Sequence, residues 1–281
     1  MVSRRVLRPF LVAALGVALV LAFASAAFAS SVQSPVKVTV RGSSYSIPAA
    51  NLLTGGGSAV NTPTVAAWIW QIARATNSSP VSATRKLNAS KHTFTFKAYR
   101  KGYPLNQSAA VTPVVAELNS ELNGGSAKTI ALPYSTTNPK VTKFGVAVIT
   151  SLSKRKIYLW SNTKLVKTYN CAIGKAEYPT PTGTFYIGKK VKNPSWTNSG
   201  AAWAKGMPSY IGPGPNNPLG TRALYVYGKS GDTGVRFHGV PSSESSSIGH
   251  ASSHGCMRMQ RKDVEDFYPR VPVDSPVYIV K

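Results

Sequence analysis

The densest chemical signal in the sequence is His238, followed further along the chain by the run Ser253-His254-Gly255-Cys256. A cysteine attacks a carbonyl only as its thiolate, and a nearby imidazole or guanidinium favours that form. A histidine within hydrogen-bonding reach can take the thiol proton and return it to an amine. Gly255 leaves room for a substrate carbonyl and frees neighbouring N–H groups to form an oxyanion hole. Together these residue types indicate acyl transfer through a thioester on Cys256.

Two simpler interpretations compete with catalysis at this place in the sequence. Cys256 could be an ordinary buried cysteine with histidines at the surface, which is common for an arbitrary Cys–His neighbourhood. His250, His254 and Cys256 could also bind zinc, but they lack the paired spacing that is typical of structural zinc sites. We therefore expect no metal.

The other cysteine, Cys171, lies in an apolar segment that is predicted to be a strand, Tyr169–Ile173. This context favours a small hydrophobic side chain buried in the core. A disulfide between Cys171 and Cys256 would block the nucleophile, so two free thiols are expected.

The elements that would position the catalytic residues are mostly strands. From residue 141 onward, segments rich in β-branched and aromatic residues alternate with long loops, and the loop at 191–221 has a length that is usually functional. One short helix is predicted near 261–270, because Val264, Phe267 and Tyr268 share a helical face. A final strand is predicted at Val277–Val280. The sequence thus predicts a mainly β domain over 136–281.

The preceding residues, 30–135, mix strand and helix patterns and predict a separate α+β domain. Helices are predicted to open at Thr62-Pro63 and Thr112-Pro113, since Thr is a favoured cap and Pro a favoured first-turn residue. A strand is predicted at His92–Tyr99, where Phe94 and Phe96 alternate with polar residues. About 250 residues are enough for two such domains with their own cores.

The run Ser253-His254-Gly255-Cys256-Met257-Arg258, together with His238-Gly239, resembles the signature of bacterial L,D-transpeptidase catalytic domains. The resemblance extends over about 141–281, through Thr180-Pro181-Thr182-Gly183-Thr184-Phe185 and Asn217-Pro218-Leu219-Gly220. It implies a β-sandwich-like catalytic fold with long loops. A weaker resemblance over about 50–140 implies a peptidoglycan-binding module, for which a plain spacer is the alternative.

The resemblance implies a role for each motif residue. Cys256 is the expected nucleophile, His238 the general base, and the Gly239 carbonyl the group that orients the imidazole. Backbone amides around His254 to Cys256 are expected to hold the oxyanion. The expected oxyanion and substrate residues are Ser253, His254, Gly255 and Arg258, whereas His250 has no counterpart in the motif.

The implied reaction is the cross-linking of peptidoglycan. The thiolate attacks the carbonyl between the third residue of a tetrapeptide stem and its terminal D-Ala, which leaves. An amine of a second stem then resolves the thioester and yields a 3→3 cross-link, without metal or organic cofactor. Two alternatives remain open: an L,D-carboxypeptidase with water as acceptor, and a non-catalytic protein that binds the wall.

The amino terminus predicts export from the cytoplasm. Arg4, Arg5 and Arg8 precede an apolar run to Phe28, which closes on small residues, as in a secretory signal peptide over residues 1–29. If it is not cleaved, this segment would be the protein's only contact with the membrane. The expected location is extracytoplasmic and associated with the cell wall.

The charge of the chain indicates a polyanionic partner. Lys and Arg number 33 against 9 acidic residues, a net charge of +24. The basic residues are scattered, and no nucleic-acid motif accompanies them. Outside the cytoplasm, the expected partners are wall carboxylates and anionic wall polymers rather than nucleic acid.

Overall fold

The computed structural model describes residue 32, residues 34–214 and residues 216–281. The predicted signal peptide at 1–29 therefore lies outside the described residues. None of the described helices combines the length and the apolar character that crossing a membrane requires. The chain divides into two units: the first ends at residue 81 and resumes at 100–140, and the second joins 82–99 to 141–281.

Strands outnumber helices in the described part of the chain. In chain order, the strands are β1 (Val36–Val40), β2 (Ser43–Ile47), β3 (Leu53–Thr54), β4 (Ala59–Val60), β5 (Thr84–Asn88), β6 (Thr93–Lys97), β7 (Thr129–Ala131), β8 (Val146–Ser151), β9 (Lys156–Ser161), β10 (Lys164–Asn170), β11 (Ile173–Gly174), β12 (Gly183–Lys192), β13 (Trp196–Thr197), β14 (Tyr210–Ile211), β15 (Arg222–Gly228), β16 (Gly231–Gly239), β17 (Ala251–Ser253), β18 (Met257–Met259) and β19 (Pro276–Val280). The helices are α1 (Thr62–Thr76), α2 (Gln107–Leu122) and α3 (Arg261–Arg270).

The first unit is built from a small sheet and two helices. Its strands lie in the order β2-β1-β7, with β1 antiparallel to β2 and parallel to β7. Val36, Val38 and Val40 alternate along β1 and are buried on the face that joins the core. The helices contribute Ile69 and Leu118 to the same core.

Helix α2 begins five residues before the predicted start at Thr112. Its N-cap is Asn106, whose side chain accepts a hydrogen bond of 3.2 Å from the Ala109 amide. Asn is among the strongest N-cap residues, so it sets the start of the helix. Pro113 lies inside α2, where it removes one backbone donor, and burial of Val114 and Leu118 offsets this loss.

The second unit is dominated by one eight-stranded sheet in the order β10-β9-β8-β19-β12-β15-β16-β18. Just after β10, Ala172 bridges Arg258 in β18 through backbone hydrogen bonds of 2.9 and 3.0 Å, so the two ends of the sheet meet. The predicted short helix at 261–270 is confirmed as α3, which packs Val264 and Phe267 against the core. The prediction of a mainly β unit is also confirmed. Its main strands form one nearly closed sheet, whereas the expected arrangement was sandwich-like.

The hairpin of β5 and β6 belongs to the second unit, although it lies within the range 30–135 predicted for the first domain. Strand β8 is buried on both faces: Val148 points into the main core, whereas Ala147 and Ile149 point to the opposite side. The hairpin covers that side with Phe94, whose ring lies 5.5 Å from the Trp160 ring. The division into units therefore does not follow a single boundary near residue 135.

We expect Phe94→Ala to lower the free energy of unfolding of the second unit by about 3–5 kcal/mol, the usual cost of emptying a buried phenylalanine site. Phe94 is 7% exposed and also makes an edge contact of 5.5 Å with Tyr278. Urea unfolding followed by tryptophan fluorescence measures the change. Thr95→Ala, at an exposed neighbour on the same strand, is the control and should change little. Equal effects of the two substitutions would contradict the packing of Phe94 against β8 and β9.

Candidate active site

The register of two parallel strands places the sequence-predicted residues on one face of the sheet. In the pairing of β16 with β18, Phe237 lies opposite Met257 and His238 opposite Arg258. Phe237 and Met257 are both fully buried in the core beneath α3. Because side chains alternate along a strand, His238 and Arg258 point to the other face, as does Cys256, one residue before Met257.

His238 is buried and held by its own neighbour in sequence. Its Nδ1 atom lies 2.6 Å from the Gly239 carbonyl oxygen. Since a carbonyl can only accept, Nδ1 carries the proton and Nε2 of the neutral ring is left as a base. Burial lowers the pKa of His238 to about 4, with the charges of Arg258 and Arg236 acting in the same direction and the backbone hydrogen bonds to Gly239 and Pro218 opposing them.

Cys256 lies half-buried against strand β16. Its thiol donates a weak hydrogen bond to the Gly234 carbonyl oxygen, with sulfur and oxygen 3.8 Å apart. Burial raises the pKa of the thiol, whereas the backbone N–H of Arg236 and the positive charges of Arg236 and Arg258 lower it. Cys171 is also a free thiol, and burial in the core raises its pKa to about 12.

The turn that carries Cys256 is fixed by hydroxyl groups. Gly255 has φ +107°, a backbone conformation that residues other than glycine rarely adopt. The Ser253 hydroxyl donates to the Cys256 carbonyl at 2.6 Å and accepts from the Gly255 amide at 3.2 Å. The Thr180 hydroxyl donates to the Gly255 carbonyl at 2.9 Å. Ser253 and Thr180 thus position the backbone of Gly255 and Cys256.

His254 lies between two aromatic rings. Trp203 stacks on it with ring centroids 4.5 Å apart, and Tyr178 contacts it edge-on at 5.0 Å. Burial, followed by the charges of Lys175 and Arg258, lowers the pKa of His254 and so favours the neutral ring. The sequence predicted His254 as part of the site but did not reveal its contact with the 191–221 loop.

Arg258 is bound to an acidic residue that sequence reasoning missed. One guanidinium nitrogen, NH1, lies 2.8 Å from a Glu244 carboxylate oxygen, and the buried Nε has no hydrogen-bond partner among the described residues. Glu244 lies in a short 3-10 helix, Ser242–Ser247, which the Gln260 side chain also contacts through the Ser245 carbonyl at 3.0 Å. Only the spatial arrangement reveals this pair, since fourteen residues separate its members in the chain.

The histidine spacing that could suggest zinc does not produce a cluster. Within the described ranges, no three His, Cys, Asp or Glu side chains gather in a way that could hold a metal ion. His250 is exposed and contributes a backbone carbonyl to β11, where it accepts from the Ile173 amide at 3.1 Å. It is therefore a loop residue.

Comparison with known proteins gives matches to one family. The model of the L,D-transpeptidase catalytic domain, YkuD, matches residues 145–279. The chain is 32% identical over 167 residues to a Bacillus licheniformis protein named as the L,D-transpeptidase YkuD, covering 58% of this chain and 82% of that protein. It is 30% identical over 187 residues to its Bacillus subtilis namesake, covering 64% of this chain and 95% of that protein. A solved L,D-transpeptidase from Mycobacterium smegmatis aligns with a TM-score of 0.41 and 14% identity over 75% of this chain and 85% of that one. This chain belongs to the YkuD family of L,D-transpeptidases.

Proposed function

We propose that this protein forms 3→3 peptidoglycan cross-links through a thioester on Cys256, with release of the terminal D-Ala of a tetrapeptide stem. The observation that supports the proposal is the pairing of β16 with β18, which sets His238 opposite Arg258, two residues after Cys256. Membership of the L,D-transpeptidase family supports action on peptidoglycan. The specific cross-link and the covalent intermediate are the parts that experiment must test.

The resting pair consists of a neutral imidazole and a thiol. The pKa of His238 is lowered to about 4 by burial, and burial also raises the pKa of Cys256. A charged pair would be disfavoured at this depth, because desolvation penalises both ions. The proton therefore moves as the sulfur attacks, and His238 acts as a general base rather than as a permanent cation.

Acylation begins when the Cys256 thiol gives its proton to Nε2 of His238 and the sulfur bonds to the stem carbonyl carbon. The carbonyl oxygen becomes an oxyanion. When the tetrahedral intermediate collapses, the bond to the D-Ala nitrogen breaks, and that nitrogen takes the proton from His238. The products are free D-Ala and a thioester of the remaining tripeptide on Cys256.

Backbone amides near the nucleophile would stabilise the oxyanion. The Gly255 amide already donates to the Ser253 hydroxyl, which leaves the amides of His254 and Cys256 for this purpose. Donors fixed before the reaction stabilise developing charge without reorganisation. The hydroxyls of Ser253 and Thr180 keep the turn rigid while the charge forms.

Transfer completes the cycle with an amine of a second stem. That amine loses a proton to His238 and attacks the thioester carbonyl, and the sulfur leaves and recovers the proton. Water in place of the amine would give an L,D-carboxypeptidase from the same residues. Trp203 stacks on His254, two residues before Cys256, but this contact does not by itself select between the two acceptors.

The test is product analysis with purified tetrapeptide-stem disaccharides. We expect equal amounts of released D-Ala and of a cross-linked dimer, whose fragmentation spectrum places the link between the third residues of both stems. Tripeptide stems without dimer would instead identify a carboxypeptidase. Unchanged substrate, with the protein shown to be folded, would leave the non-catalytic wall-binding alternative.

We also propose that the protein works outside the cytoplasm, in contact with the wall, and that the first unit contributes to binding. The net charge of +24 supports attraction to anionic wall polymers and stem carboxylates. Because such attraction is screened by salt, release of the protein from isolated walls should increase with ionic strength.

A further inference from the structure

A cationic side chain outside the recognised motif lies level with the nucleophile on the neighbouring strand. Phe237 of β16 pairs with Met257, the first residue of β18, so Arg236 lies level with Cys256, which immediately precedes β18. Val235 and Phe237 point into the core, which puts Arg236 on the opposite face with His238 and Cys256.

The contacts of the Cys256 sulfur support this placement of Arg236. The Cys256 thiol contacts the Gly234 carbonyl at 3.8 Å, two residues before Arg236 on the same strand. The backbone N–H and the charge of Arg236 both lower the pKa of the Cys256 thiol, against the opposing effect of burial. Arg236 thus acts on Cys256 from the strand that also carries His238.

The guanidinium group of Arg236 is held in place by two neighbours. Asp232 binds it with two hydrogen bonds of 2.7 and 2.9 Å, an arrangement that fixes orientation as well as distance. On β15, the Tyr225 ring lies under the guanidinium carbon at 4.0 Å, and the Lys189 ammonium lies 5.4 Å from the centre of the same ring. The Arg236 side chain is only 17% exposed, so its charge is poorly screened by water.

We propose that Arg236, held by Asp232 and Tyr225, is the residue that stabilises the negative charge developing on the Cys256 sulfur. It is a positioning residue that acts through its charge and does not touch the substrate. Asp232 keeps the cation in a fixed orientation and prevents it from turning to solvent. The inference rests on the proposed function in taking Cys256 as the nucleophile.

The other charged and titratable groups around the sulfur act on it together with Arg236. Those with an effect on the pKa of Cys256 are Arg258 and Asp232. The same elements also carry His238 on β16 and His254 before Cys256, and Glu244 is bound to Arg258. Glu244 partly neutralises Arg258, and Asp232 raises the pKa of the thiol. Since Arg236 also lowers the pKa of His238, its removal should raise the pKa values of both Cys256 and His238.

The test is the pH dependence of alkylation of Cys256 in the full chain by iodoacetamide, a neutral probe that reacts with the thiolate. Peptide mass spectrometry separates Cys256 from the buried Cys171. We expect Arg236→Gln to reduce the rate at neutral pH roughly tenfold, because one pKa unit changes the thiolate fraction tenfold. Arg236→Met keeps the apolar stem on Tyr225 and should behave alike, whereas Arg236→Lys retains charge and should lose less.

Lys189→Gln is the matched control, since it removes the same charge from a second cation that lies over the Tyr225 ring. We expect its alkylation profile to stay within about twofold of the wild type, because solvent screens exposed charges. An unchanged profile in folded Arg236→Gln or Arg236→Met protein would overturn the inference, as would an equal shift in Lys189→Gln. If wild-type protein shows the expected profile but forms no cross-links, the proposed function fails and the inference on Arg236 stands.

Discussion

Replacement of Cys256 by alanine is expected to reduce D-Ala release at least about 10³-fold, as the loss of a nucleophile does in other covalent enzymes. Without the sulfur no thioester can form, and the remaining amides and His238 can only assist a direct attack by an amine or water. The half-buried position of Cys256 makes the change mild for folding. The measurement is enzymatic detection of D-Ala from tetrapeptide stems, with circular dichroism to verify the fold.

Cys171→Ala provides the matched control for the nucleophile. Cys171 is a free thiol in the core of the same unit, with a pKa raised to about 12 by burial, so it is protonated and unreactive at neutral pH. We expect this variant to keep its activity. Turnover by Cys256→Ala above a few per cent, or an equal loss in Cys171→Ala, would refute the assignment.

Replacement of His238 by glutamine is expected to lower kcat/KM by about 10²–10⁴, the usual contribution of a general base. Glutamine is similar in size and uncharged, but it cannot accept the thiol proton. The hydrogen bond to the Gly239 carbonyl, 2.6 Å in the wild type, can be retained by the amide nitrogen. Steady-state kinetics on tetrapeptide stems give the loss, and His250→Gln, at an exposed histidine, should show none.

The pH dependence of kcat/KM gives a second test of the role of His238. Burial lowers its pKa to about 4, so the base form persists at neutral pH and is lost only as the pH falls through that value. The acidic limb of kcat/KM should therefore lie near pH 4, well below the ordinary histidine value of about 6.5. An acidic limb at the ordinary value would mean that the ring is solvated or paired with a stable thiolate in the working enzyme.

The residues proposed to carry the chemistry could be predicted because most of them lie in one short run and are chemically distinctive. The run from Ser253 to Arg258 fixes types and spacing, and α3 follows from a local helical pattern. The hydrogen bond that orients His238 is also local, because its partner, Gly239, is the next residue in the chain.

What the sequence did not reveal depends on contacts between distant segments. The β5–β6 hairpin has an ordinary strand pattern, and only the uncovered face of β8 explains why it belongs to the second unit. The ion pair of Glu244 with Arg258 and the stacking of Trp203 on His254 are likewise contacts between distant segments and the motif. Local sequence patterns do not encode which loops approach each other, so these contacts could not be predicted from the sequence.

The proposed mechanism depends above all on Cys256 carrying the tripeptide acyl group during turnover. Intact-mass spectrometry of the protein, quenched in acid during incubation with tetrapeptide stems and no acceptor, measures this acyl group on the protein itself. We expect a mass increase equal to the stem minus D-Ala, located on the peptide that contains Cys256 and lost on addition of an acceptor amine. Release of D-Ala without any adduct on Cys256, or an adduct on another residue, would contradict the mechanism.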